Sequence, residues 1–121
     1  MAVSISLAQT VSARVAKNSN IFSANGSRTD TSYGAVVSKI QIIGTSAELL
    51  NLGDISGIPT LLLVKHNDTA NFVELALDAA MTKKIAKIYP TRFAVFAPTA
   101  AAIYARANTD AVKVLVFAVG A

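Results

Sequence analysis

The chain has 121 residues, of which 53% are hydrophobic and only 15% are charged, so disorder of the whole chain is excluded and the length suits one domain. Cysteine is absent, which excludes a disulfide and a thiolate zinc site. The net charge is +4, and so few charged residues indicate a surface that is partly covered by other protein.

Residues 3–16 alternate between apolar and polar side chains, which predicts one long strand or two short ones. Val3, Ile5 and Leu7 share one face, and the opposite face begins with small uncharged side chains. A strand without an edge lysine or proline lacks the usual protection against pairing with another chain. We therefore expect residues 1–16 to be an interaction strand that contacts a neighbouring subunit through these three side chains. The alternative is that this strand completes the chain's own sandwich.

The next segment, residues 17–34, is rich in Asn, Ser, Thr and Gly. This composition predicts a loop with one short strand at Ile21 and Phe22. Asn25 and Gly26 form the strongest tight-turn pair in the chain, because both residues tolerate positive φ.

Residues 36–43 are rich in β-branched side chains and predict a strand that ends at Gly44. The following segment is ambiguous, because Thr45 and Glu48 fit a helix capping box. The segment is short for a helix, and its leucines alternate with Asn51. We favour a short strand here.

Residues 60–78 contain the only histidine, His66, and an acid close to it, Asp68. A metal site needs several converging ligands, and acid–base or nucleophilic catalysis needs a partnered base. No neighbouring residue completes either kind of site. The polar residues after His66 are turn formers that lie between an apolar run and an alternating run. We therefore predict a hairpin loop with His66 exposed at a strand end, and no catalytic, metal-binding or cofactor-binding residue.

Residues 72–88 fit a strand hairpin and a helix equally well on periodicity alone. Residues 73–78 alternate as a strand does, but five apolar residues also share one helical face, with acids early and lysines late. These five residues are Val73, Leu77, Met81, Ile85 and Ile88. The basic cluster of Lys83, Lys84 and Lys87 has few aromatic neighbours, so we predict a solvated or protein-contacting edge and no specific nucleic-acid binding.

The remaining apolar runs are separated by turn signals at Pro90-Thr91 and at residues 108–110. Short runs about ten residues apart, with turn residues between them, predict an all-β sandwich or barrel. The side chains that we expect to face inward are Leu61, Leu63, Val73, Leu75, Phe93, Val95, Val112, Val114 and Val116.

Residues 44–78 read GTSAELLNLGDISGIPTLLLVKHNDTANFVELALD, which resembles small virion structural proteins of tailed bacteriophages. Those proteins carry a GTTAE-like segment, an LGDI-like segment and an N-D-x-x-N-[YF]-V-x-[LV] segment. In this chain the residues that match the third of these segments are Asn67, Asp68, Asn71, Phe72, Val73 and Leu75. Downstream, IYPTRFAVF resembles their L-x-P-G-x-x-A-x-F segment with Thr91 where glycine is usual, and residues 103–120 resemble their closing hairpin. The resemblance covers roughly residues 40–119.

The resemblance implies an all-β sandwich, and it favours strand, loop and strand over a helix for residues 72–88. We therefore predict one antiparallel β-sandwich domain over residues 1–121, jelly-roll-like and of about eight strands.

The resemblance implies a role in the virus particle and does not say where in the particle the protein sits. The leading hypothesis is a non-enzymatic decoration or cement subunit of a virion assembled in the host cytoplasm, because the chain is apolar and β-rich, has few charges and shows no catalytic constellation. Its partners would be the major capsid protein and further copies of itself. The alternatives are a tail, neck or fibre component, a carbohydrate-binding module, which the absence of Trp weakens, and a small hydrolase, for which no motif is found. We expect no cofactor, no secretory signal and no membrane span.

Overall fold

The computed structural model describes the backbone of residues 3–15, 20–33 and 35–120, and the side chains of residues 35–120. Within these ranges no helix is long and apolar enough to cross a membrane. The described residues form ten strands: β1 (Val3–Val15), β2 (Asn20–Tyr33), β3 (Ala35–Ile43), β4 (Glu48–Leu49), β5 (Leu61–His66), β6 (Val73–Ala76), β7 (Lys84–Ile88), β8 (Phe93–Phe96), β9 (Tyr104–Ala107) and β10 (Val112–Gly120). The chain divides into two compact units, Met1–Gly34 and Ala35–Ala121.

The first unit is an antiparallel pair of strands, β1 and β2. The strand predicted near the N-terminus is confirmed as one long strand. The loop and tight turn predicted after it are wrong, because Asn25 and Gly26 lie inside β2, opposite Thr10 and Gln9. Continuous pairing along β2 satisfies backbone amides and carbonyls, and it outweighs the local preference of an Asn-Gly pair for a turn.

The second unit is an antiparallel sandwich of eight strands. One sheet has the order β3-β10-β5-β8 and the other has the order β4-β9-β6-β7. This arrangement of two four-stranded sheets, in which consecutive strands mostly alternate between the sheets, is the topology of a jelly roll. The predicted jelly-roll-like β-sandwich is therefore confirmed, and residues 35–120 build it.

The core lies between the two sheets and contains alternate residues of their strands. In β10 the side chains of Val112, Val114, Val116 and Ala118 are fully buried. The opposite sheet contributes fully buried side chains that include Val73, Leu75 and Ala105. The inward orientation predicted for the β6 and β10 residues is confirmed.

The inward faces predicted for β5 and β8 are wrong by one residue. Leu62 and Val64 are fully buried, since pairing with β10 sets them opposite Ala118 and Val116. A slip of one residue exchanges the two faces of a strand, and an uninterrupted apolar run such as TLLLV gives no alternation from which to choose. The residues that lie on the outward face instead are Leu61, Leu63, Phe93 and Val95.

Residues 72–88 form a hairpin of β6 and β7, so the strand–loop–strand prediction is confirmed over the helix. Asp78 holds the connecting loop, because its carboxylate accepts hydrogen bonds from the backbone N–H groups of Thr82 at 3.0 Å and Lys83 at 2.8 Å. Hydrogen bonding from the Thr82 side chain and from these amides lowers the pKa of Asp78. The loop is therefore fixed by an ionised side chain at neutral pH.

The short strand predicted after Thr45 is confirmed as β4. Glu48 does not cap a helix. Its carboxylate accepts hydrogen bonds from the Gly44 backbone N–H at 3.1 Å and from Gln41 Nε2 at 3.2 Å. This side chain therefore ties the end of β3 to β4.

Thr91 has a φ of 65°, which a β-branched residue rarely adopts. The Arg92 N–H donates to the Tyr89 carbonyl at 3.0 Å, and Pro90 precedes Thr91. This is the arrangement of a type II turn, whose third position favours glycine. Thr91 stands where the virion-protein segment that this part of the sequence resembles usually has glycine. It lies at a turn position whose backbone conformation favours glycine.

We expect Thr91→Gly to stabilise the protein by about 0.5–1 kcal/mol. The left-handed backbone costs an L-residue about 1–2 kcal/mol, which glycine does not incur. Glycine is also more flexible in the unfolded chain, and this reduces the gain in stability by about 0.5–1 kcal/mol. Urea unfolding should show a higher midpoint with an unchanged slope. Thr91→Ala is the matched control, because it keeps the Cβ atom. An equal gain from both variants would contradict the backbone explanation.

Candidate functional site

His66 is buried, with 1% of its surface exposed, so the prediction that it is exposed is wrong. It is the last residue of β5 and lies on the same face as Leu62 and Val64. The register places it opposite Val114 of β10. The strand alternation therefore turns this side chain inward at the end of the sandwich core.

Both ring nitrogens of His66 are hydrogen bonded to the loop that follows it. Nδ1 accepts from the Asp68 backbone N–H at 3.1 Å. Nε2 lies 2.9 Å from the Asn71 carbonyl oxygen, so it carries the proton and donates. This is the neutral tautomer with hydrogen on Nε2. Asn71 has a φ of 67°, a conformation that asparagine tolerates better than most residues.

Asp68 fastens the same loop to β10. Its carboxylate accepts hydrogen bonds from the backbone N–H groups of Thr69 at 3.0 Å and Lys113 at 3.4 Å. The Asn67 N–H donates to the Lys113 carbonyl at 2.9 Å. The bonds from the Thr69 and Lys113 amides lower the pKa of Asp68. Their contribution is therefore present at neutral pH and is lost as the pH falls through the lowered pKa.

The segment after His66 is a crossing between sheets, so the hairpin predicted here is wrong. β5 belongs to the sheet β3-β10-β5-β8, and β6 belongs to the other sheet. The closing hairpin that the resemblance implies for residues 103–120 is also wrong, because β9 and β10 lie in different sheets. Turn chemistry marks where a strand ends, but it does not reveal which strand will be its partner.

An open depression of about 420 Å³ lies over this loop. It is lined by Lys65, His66, Asn67, Asp68, Thr69 and Thr91. The His66 nitrogens and both Asp68 oxygens are already engaged by the backbone, so their polar atoms hold the loop. Among the described residues, no group of three or more His, Asp and Glu side chains could hold a metal ion. The absence of a catalytic or cofactor site in the chain stays a prediction.

The outward face of the sheet β4-β9-β6-β7 is charged. Glu74 forms ion pairs with Lys84 at 2.8 Å and with Arg106 at 3.4 Å, and chiefly the Lys84 contact lowers its pKa. Lys87 Nζ lies 4.0 Å from the centre of the Phe72 ring. Lysines on β7, the edge strand, discourage pairing with another sheet. Leu49 and Ile85 of the same sheet are also exposed, at 52% and 42%, so charged and apolar side chains are mixed on this surface.

The outward face of the sheet β3-β10-β5-β8 is apolar, in contrast. Ile40 is 55% exposed, Ile42 64% and Phe93 52%. We call this surface the outer apolar face, and it comprises Val36, Ile40, Ile42, Leu61, Leu63, Phe93, Val95, Leu115 and Phe117. Its polar members are Ser38, Lys65 and Lys113. An antiparallel sheet that faces water normally carries polar side chains on that side, so this composition is typical of a face covered by protein.

Sequence reasoning missed the outer apolar face, although the signal was present. The strands TLLLVKH and VKVLVFAVG are apolar at both parities, which is typical of strands covered on both sides. The residues that were predicted to form an interface, Val3, Ile5 and Leu7, lie on β1, and their side chains lie outside the described residues. Their contact with a neighbouring subunit stays a prediction.

No protein family, curated protein or solved structure matches the chain. The resemblance to virion structural proteins therefore stays a prediction from the sequence.

Proposed function

We propose that the protein is a non-enzymatic structural component of a tailed-bacteriophage virion, where it binds the major capsid protein as a decoration or cement subunit. The observation that supports this most is the strand order of the sandwich, because jelly rolls build viral capsid domains as well as lectin domains. A fold alone does not select a function. The sequence resemblance over residues 40–119 is the reason for preferring the virion among the roles of this fold.

The use of polar side chains also supports a structural role. The carboxylates of Glu48, Asp68 and Asp78 each accept hydrogen bonds from backbone amides, and His66 is bonded at both nitrogens. These four groups, which could otherwise take part in acid–base chemistry, hold loops and strand ends in place. A subunit of a shell gains stability from repeated protein contacts, and the outer apolar face offers a surface for such contacts.

A carbohydrate-binding role has weaker support. Sugar-binding platforms use exposed aromatic rings, and the exposed aromatic side chains among residues 35–120 are Tyr89 and Phe93. Tyr89 packs edge-on against Phe72 with ring centres 6.1 Å apart. Phe93 belongs to the outer apolar face, where hydrogen-bond donors for sugar hydroxyls are few.

The test is to locate the protein in virions of the phage that encodes it. Purified particles are separated into heads and tails, and each fraction is quantified by mass spectrometry against the major capsid protein. We expect the chain in the head fraction, in constant proportion to the capsid protein. Recovery in the tail fraction would support a tail, neck or fibre role instead, and absence from both fractions would contradict any virion role.

A further inference from the structure

We propose that His66 and the loop after it form a pH-dependent switch, in which protonation of the imidazole detaches the Asp68 end of this loop from β10. The proposal rests on the hydrogen bonds of the imidazole and is independent of the virion role.

The two partners of the imidazole ring are both satisfied by one protonation state alone. The Asp68 N–H lies 3.1 Å from Nδ1 and can only donate, and the Asn71 carbonyl lies 2.9 Å from Nε2 and can only accept. A neutral ring with hydrogen on Nε2 satisfies both partners. A protonated ring carries hydrogen on both nitrogens, so its Nδ1–H would point at another donor. The addition of one proton therefore removes the bond to Asp68 and keeps the bond to Asn71.

One of the charged groups around His66 supplies a new acceptor for Nδ1–H. These groups are Lys65 on β5, Asp68 in the loop, Arg92 directly before β8, and Lys113 on β10. Val114, which lies opposite His66 on β10, is uncharged. Asp68 is thus the acid of the group, and the N–H that loses its partner belongs to the same residue. Rotation of the Asp68 side chain brings a carboxylate oxygen to the imidazolium, which attracts it.

The Asp68 carboxylate is ionised over the range in which the imidazole titrates. Hydrogen bonds from the Thr69 and Lys113 amides, and also the nearby His66 ring, lower the pKa of Asp68. Histidine side chains change their charge between about pH 5 and pH 8. A change in the loop within this range therefore comes from the imidazole and not from the carboxylate.

Movement of the Asp68 carboxylate unfastens the loop from β10. One of its oxygens accepts from the Lys113 N–H at 3.4 Å, which is already long for a hydrogen bond. This contact is lost when the carboxylate turns to the imidazolium. The Asn67 N–H, which donates to the Lys113 carbonyl at 2.9 Å, adjoins the residue that moves.

The loop has room for this change. Asn67, Thr69 and Ala70 are exposed, so their displacement does not open the core. The bond from Nε2 to the Asn71 carbonyl survives protonation and holds the other end of the loop. The switch is therefore a local opening of one loop end, the kind of low-energy opening that occurs without global unfolding.

The test is amide hydrogen exchange of the full chain, followed by NMR at about pH 7.5 and about pH 5, on the two sides of the range in which histidine titrates. Protection of the Lys113 N–H, relative to an unstructured amide at the same pH, should fall roughly tenfold or more at the lower pH, the effect of losing a bond to a charged acceptor. The Val116 N–H, in the middle of β10, is the internal control and should keep its protection. Nitrogen-15 signals of the ring should show one protonated nitrogen at the higher pH and two at the lower.

His66→Asn is the matched variant, because its amide stays neutral at both pH values and places an acceptor near the position of Nδ1. In this variant the protection of the Lys113 N–H should not depend on pH. Lys65→Ala, which changes the exposed neighbour, should keep the pH response of the unsubstituted chain. The measurements on the unsubstituted chain decide the matter even if a variant fails to fold.

Four results would overturn the proposal. They are a ring with one proton at the lower pH, a protonated ring with unchanged Lys113 protection, an equal loss of protection at Lys113 and Val116, and the same acid response in His66→Asn.

Discussion

Leu75→Ala should destabilise the protein by about 2–5 kcal/mol, the cost of truncating a buried leucine and leaving a cavity. Leu75 is fully buried in the core cluster. It lies on β6, opposite Ala86 of β7 and Ala105 of β9, whose short side chains cannot fill the space. A loss of this size is a large part of a typical stability of about 5–15 kcal/mol, so we also expect little soluble protein.

Urea unfolding and soluble yield are the measurements for Leu75→Ala. Leu49→Ala removes the same atoms from a side chain that is 52% exposed in the same sheet. This control should change stability by less than about 0.5 kcal/mol. Similar midpoints for the two variants would show that the register assigned to β6 is wrong.

His66→Ala should cost about 2–4 kcal/mol, although turn chemistry alone predicts almost no effect. The substitution leaves the Asp68 N–H and the Asn71 carbonyl without these partners at a partly buried position, and an unsatisfied group costs about 1–3 kcal/mol when it is fully buried. It also removes a ring that is 1% exposed. Thermal and urea unfolding would both report the loss.

Two further variants test whether the loss of stability in His66→Ala comes from the missing hydrogen bonds. Lys65→Ala changes the exposed neighbour and should shift stability by less than about 0.5 kcal/mol. His66→Asn places an acceptor near the position of Nδ1 and should recover part of the loss. If His66→Ala unfolds at the same midpoint as the unsubstituted protein, the loop does not depend on the imidazole.

The elements of the sandwich could be predicted from the sequence because their strands alternate or end at clear turn residues. Val73 and Leu75 alternate with polar or small neighbours, and their burial follows from that pattern. In β5 every residue from Leu61 to Val64 is apolar, so the two faces look alike in the sequence. Only pairing with β10, far along the chain, decides which set is inside.

The error at His66 follows from the same cause. Its neighbours Asn67 and Asp68 mark a loop correctly, but the orientation of a strand-end residue depends on the strand's register. Once Leu62 and Val64 face inward, His66 must follow two residues later. The outer apolar face was missed because each strand was given one apolar face, whereas these strands have two.

The position of β10 has a consequence for how the protein is made. β10 lies between β3 and β5 in its sheet, and its residue Gly120 pairs with Ala35 at the beginning of the sandwich. β3, the first strand of the sandwich, can therefore pair with its neighbour only after β10, the last strand of the sandwich, has been synthesised. Closing so long a loop is entropically costly, and domains dominated by distant pairings fold slowly. While the ribosome is still making the chain, β3 and β5 present unpaired edges and apolar side chains, which promotes aggregation. Productive folding of the sandwich is thus a late event, and chaperones that hold nascent chains are expected to improve its yield.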